Sequence, residues 1–132
     1  MIVLVLISVV LVVGLGVFDI ILGEIILSIA GRESQKSLYA ADSGIECALY
    51  WDLKQVAFNS PAYTINCAGK QIPGNMIAST TDFVLNFSNG ACAKVNMDKS
   101  NPIQTVITSR GYNMDCDISS SRKVERAMRN AY

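Results

Sequence analysis

Four cysteines, two carboxylates set in an apolar run and a basic C-terminal segment are the groups of this 132-residue chain with chemistry to offer. Cys47, Cys67, Cys92 and Cys116 are even in number and widely spaced, with no CxxC pair. With no histidine in the chain, tetrahedral zinc is not expected, and two disulfides are. Four cysteines allow three connectivities. Cys47–Cys67 with Cys92–Cys116 is favoured because each bridge closes a loop of modest length, worth roughly 3 kcal/mol in the chain-entropy account. The missing histidine also removes a Ser–His–Asp arrangement, and no nucleophile elbow, Walker loop or dinucleotide glycine motif occurs. Asp115 and Asp117 flank Cys116 and read as solvated, and Asp98 stands in a run too sparse in acids for a calcium loop. Asn86-Phe-Ser88 matches a glycosylation acceptor but falls inside a predicted strand. Neither catalysis nor a cofactor is expected.

The elements that position these groups begin with residues 1–18, which carry no charge. As a helix they span roughly 27 Å, close to the hydrocarbon thickness of a bilayer. A signal peptide has a shorter apolar stretch, a basic start and a small-residue cleavage site. Here the first basic residue is Arg32, so the segment is read as a retained helix, with earlier removal of a short leader as one way of exposing it. No proline interrupts the chain as far as Asp52, which predicts one helix over 1–52: a transmembrane part, 1–30, and an amphipathic stem, 31–52. Gly14, Gly16 and Gly23 punctuate the apolar part. Each costs about 1 kcal/mol relative to alanine in water, whereas small residues in a membrane let helices approach closely. Asp19 and Glu24 are expensive in lipid. Asp19 either marks the membrane boundary and faces water, or both carboxylates become buried between packed copies of the helix.

Along the stem, Leu38, Ala41, Ile45, Ala48, Leu49 and Asp52 recur at helical spacing and predict the stripe on which the head packs. Ala40, Cys47, Tyr50 and Trp51 lie off it, and a helix apolar on two sides points to self-association, although a stem fully wrapped by its head would show the same pattern. Residues 1–52 hold six acids and two bases, and residues 53–132 hold five acids and nine bases. The resulting −4 and +4 read as ordinary solvated surface or as complementarity between neighbouring copies.

Residues 53–132 read as one small β head. Tyr63–Cys67 is a short strand, and Phe83–Phe87 alternates with Phe83, Leu85 and Phe87 on one face. Asn89-Gly90 predicts a tight hairpin with positive φ at both turn positions. The return strand, 91–97, sets Ala93, Val95 and Met97 against Cys92, and Thr105–Ser109 is a third strand. Residues 122–132 fit a helix or a strand; strand is chosen, because the connection 110–121 would return the chain beside Thr105–Ser109. Its Arg122, Lys123, Arg126 and Arg129 read as surface, and nucleic acid is not an expected partner. The fold class is therefore α+β, a long N-terminal helix on a small antiparallel sheet.

The run Glu33-Ser-Gln-Lys-Ser-Leu-Tyr-Ala-Ala-Asp-Ser-Gly-Ile-Glu46 resembles the helix of type IV pilins and pseudopilins, in particular the PilX-like pilin group. The stretch 41–52 and the two C-terminal segments, Ser109-Arg-Gly-Tyr-Asn and Arg122-Lys-Val-Glu-Arg-Ala, resemble pilins of small host-attached bacteria; residues 53–104 carry no such motif. The resemblance implies a prepilin peptidase that cuts after a glycine and a methylated new N-terminus, here Met1. It implies subunits that wait in the cytoplasmic membrane until an assembly ATPase and a platform protein stack them into a helical filament of identical copies on the cell surface. The family glutamate at the fifth mature position is replaced by Val5, which leaves an offset register, charge neutralisation by Asp19 or Glu24, or a different mode of assembly. The expected function is thus a structural pilin serving adhesion, twitching motility or host-cell contact. The alternatives are a minor pilin or type II secretion pseudopilin and, from another class, a single-span anchored binding module.

Overall fold

The computed structural model describes residues 1–132. One helix, α1 (Ile2–Leu53), is followed by a 3-10 turn at Ala57–Asn59 and six strands. These are β1 (Ala62–Cys67), β2 (Lys70–Asn75), β3 (Thr80–Asn86), β4 (Cys92–Asn101), β5 (Gln104–Tyr112) and β6 (Glu125–Ala131). The fold is α+β. By internal contacts the chain divides into Met1–Arg32, which is helix throughout apart from Met1, and Glu33–Tyr132, which holds the rest of α1 and all the strands. The second unit takes in residues 33–53 of the helix together with the strands.

Within that unit β1 and β2 form an antiparallel hairpin, and β3, β4, β5 and β6 form an antiparallel sheet in sequence order. Simple up-down order follows from short connections between neighbouring strands. Inward side chains alternate along β4, where Ala93, Val95 and Met97 are buried. They are joined by Phe83 and Leu85 from β3, Ile107 from β5, Ile65 from β1 and Phe58 from the 3-10 turn. Phe58 packs edge-on against Tyr63 at 4.7 Å between ring centres.

The helix covers this core with small residues. Its buried positions are Ser37, Ala40, Ala41, Gly44, Ile45, Ala48 and Asp52. Leu38, expected on the buried stripe, is instead 44 % exposed, and Leu49 is only half-buried. Ala41, Ile45, Ala48 and Asp52 of the expected stripe are buried, and only its edge shifts, from Leu38 to Ser37 and Ala40, because the helix comes very close to the sheet. A Cβ added at Gly111 of β5 would meet the main chain at Ser37 and Ala41, and one at Gly44 would meet Val95 and Ser109. Glycine inside a strand at such a point permits close approach of another backbone. Leucine does not fit there, so alanine and serine form the contact.

Two expectations need correction in detail. The hairpin at Asn89-Gly90 has positive φ at Gly90 alone (79°). The Gly90 N–H donates to the Phe87 carbonyl (3.1 Å), and the Asn89 side chain accepts the Ala91 N–H (3.0 Å). This makes a three-residue loop ending in a left-handed glycine, not a two-residue primed turn. The second correction is β2, for which no strand was expected. It contains Pro73 and Gly74, and β1 is its only strand partner, the edge position in which proline is tolerated.

Candidate functional site

The apolar part of α1 is the first candidate. From Met1 to Arg32 every residue is exposed within the chain. The most apolar 18-residue window of the helix has a mean hydropathy of 2.9, and none of that window is buried. The helix is long and apolar enough to cross a membrane, a property that signal sequences share. Nothing lies within 4 Å of a Cβ placed at Gly14, Gly16 or Gly23. Asp19 and Glu24 are exposed and form no ion pair. Five residues apart on a helix, they stand about 140° apart around the axis. They therefore face different neighbours rather than forming one acidic site. Ser8 donates to the Val5 carbonyl at 2.8 Å, satisfying its hydroxyl within the helix. Val5 and Met1 are exposed apolar residues here, at 61 % and 102 %.

The disulfides lie in the compact unit. Cys47 of α1 is bonded to Cys67 at the end of β1, with Cα atoms 6.1 Å apart. Cys92, opening β4, is bonded to Cys116 in the β5–β6 connection, with Cα atoms 5.6 Å apart. Beside the first bridge, Trp51 donates through Nε1 to the Asn66 carbonyl at 3.2 Å, and Tyr50 stays half exposed. An open groove of about 450 Å³ runs there between Glu46, Tyr50, Trp51, Asn66 and Phe87.

The β5–β6 connection is held by buried Asn113. Its amide donates to Glu33 Oε2 (2.8 Å) and to the Arg122 carbonyl (3.0 Å), and its Oδ1 accepts the Val124 N–H (2.8 Å). Lys123 lies 4.5 Å from the centre of the Tyr112 ring and donates to the carbonyls of Cys116 (2.8 Å) and Ile118 (3.0 Å). Burial, aided by nearby Glu125, raises the Tyr112 hydroxyl above its ordinary value. Arg126 donates to Ser34 Oγ at 2.9 Å. Two of the four C-terminal cations thus serve contacts within the unit. Asp115 accepts the Asp117 N–H (3.2 Å) and Asp98 the Ser100 N–H (2.8 Å), each as the acceptor of a local turn. Hydrogen bonds from Ser100 hold Asp98 below the usual carboxylate range. Asn86 is an exposed residue at the end of β3.

One cluster lay outside the sequence reading of the site. Asp52, buried near the end of α1, forms an ion pair with Lys99 and accepts a hydrogen bond from the Tyr132 hydroxyl. Lys99 also donates to Asn59 Oδ1 at 3.1 Å. Burial, and then the Asp52 carboxylate, push the Tyr132 hydroxyl well above its normal range. The cluster joins helix, 3-10 turn, β4 and the residue after β6, so its evident work is to fix that end of the unit. No three metal-ligating side chains converge anywhere. Two disulfides and a membrane-compatible helix are the features with a bearing on cellular location. A search of protein-family models, curated proteins and solved structures finds no match to this chain.

Proposed function

We propose that this chain is the structural subunit of a type IV pilus-like surface filament. In this reading it is held in the cytoplasmic membrane by residues 1–32 and polymerises through them. The observation that carries the reading is the bare apolar helix: 32 residues with no partner in their own chain, continuous with a helix that builds a disulfide-linked α+β unit. An apolar helix of that length needs cover from lipid or from protein. Lipid before assembly and sister helices afterwards supply both, and the pilin-like architecture agrees with this use. Small residues at 14, 16 and 23 suit close helix contacts, and the exposed carboxylates at 19 and 24, once covered by assembly, would find their partners between copies.

Electron microscopy of the sheared surface fraction of cells producing the full chain tests this. Thin filaments containing the chain as their main component are expected. Replacing Asp19 and Glu24 by Asn and Gln should abolish filaments while leaving the chain in the membrane fraction. A detergent-soluble monomer and no filaments would instead favour an anchored binding module, and a trace component of filaments would favour a minor pilin.

A further inference from the structure

We propose that β6 is a self-complementary sheet edge through which the compact units of two copies pair, antiparallel and centred on Ala127. β6 hydrogen-bonds to β5 alone, so its other side is an edge of the four-stranded sheet. Tyr132, directly after the strand, exchanges main-chain hydrogen bonds with Thr105 at 2.8 and 3.1 Å. Hydrogen-bonding direction alternates along an antiparallel strand. The main-chain groups of Arg126, Met128 and Asn130 therefore face β5, and those of Glu125, Ala127, Arg129 and Ala131 face outwards. These last four residues are all exposed, and no main-chain partner within the chain covers their outer side. The edge has neither proline nor bulge, two of the devices that usually discourage pairing.

Charge supplies the third device, and here it selects a partner rather than excluding one. The segment Glu125-Arg-Ala-Met-Arg129 is read equally well against itself. When Ala127 faces Ala127 of a second copy, each Glu125 stands directly opposite an Arg129, and each Arg126 opposite a Met128. The pairs 125–129, 127–127 and 129–125 would close about six main-chain hydrogen bonds. Opposite charges facing across strands stabilise pairing, and a small residue at the centre lets the chains meet. Arg126 remains available to its own Ser34 on the helix side of the sheet. Glu125 gives up little, since its contact with Arg110 is 3.9 Å long and exposed on both sides.

The symmetry of such a pair is also informative. Ser34 meets Arg126 and Asp52 meets Tyr132, so residues 34–52 of the helix run alongside β6 in the same direction. A twofold axis that makes the two β6 strands antiparallel makes these helices antiparallel too. The contact joins copies that face one another, not neighbours in one parallel array. It uses only residues 33–132 and goes beyond the filament reading, which fails or holds independently of it.

All four native cysteines are in disulfides, so Ala127→Cys adds one reactive thiol to the full chain. In detergent micelles with a mild oxidant, A127C should form a covalent dimer, because hydrogen-bonded residues in an antiparallel ladder have Cα atoms about 5.5 Å apart, within disulfide reach. Val84→Cys, on β3 opposite Lys94, should not. In the A127C background, Glu125→Arg and Arg129→Glu should each lower the dimer yield about tenfold, and the double reversal should restore it. Equal cross-linking by A127C and V84C, indifference to the single reversals, or failure of the double reversal to rescue a folded variant would each overturn the proposal.

Discussion

Asp52 receives its two polar partners from residues 47 and 80 positions further along the chain, Lys99 and Tyr132. A carboxylate at 8 % exposure needs such partners, and the loss of one leaves the others unsatisfied. Asp52→Asn should therefore cost about 2–3 kcal/mol, read as a lower urea midpoint with unchanged slope. Tyr132 adds a dependence on pH. Its hydroxyl holds a proton more tightly when folded than its unfolded value of 10. The unfolded chain thus deprotonates first as the pH passes 10. The stabilisation is whole below that pH and is lost as the pH climbs above it. Urea midpoints measured from pH 8 to 11 should show this decline in the natural chain and a smaller one in Tyr132→Phe.

Among the elements, the tightest contact is that of α1 with β5. Gly111→Ala would drive a methyl group into the main chain at Ser37 and Ala41, where no side-chain rotation can relieve it. A loss of about 3 kcal/mol is expected, measurable as a fall in Tm. The same contact explains what could be read in advance. The strands that alternate cleanly, β3 and β4, were legible because burial on one face imposes a period of two, whereas β6, with no fully buried residue, was legible only through the connection that returns the chain beside β5. The helical stripe was legible at Ala41, Ile45, Ala48 and Asp52 but not at its edge, where Ser37 and Ala40 are buried instead of Leu38. Periodicity favours large side chains such as Leu38, whereas a glycine in the facing strand selects Ala40, Ala41 and Gly44. β2 gave little signal because it has no fully buried side chain: it pairs with β1 and adds only half-buried Ile72 to the core. The Asp52 cluster was illegible for a different reason. Its members are scattered over the sequence and brought together only by the register of the sheet.

At the scale of the whole molecule, Met1–Arg32 and Glu33–Tyr132 have separate demands for solvent. The second has its own core and both disulfides. A chain beginning at Glu33, produced in an oxidising compartment, should be soluble without detergent and unfold in one cooperative transition; a broad transition by circular dichroism would contradict this. The disulfides also carry a consequence in time. The bridges 47–67 and 92–116 enclose separate stretches of chain. In an oxidising compartment each can close as soon as its second cysteine is present, without waiting for the other. Asp52 has no such independence, since Tyr132 follows both bridges in the chain. The end of the helix is therefore covalently moored early, while its buried charge acquires its full set of partners only once Tyr132, 80 positions further along, has joined it.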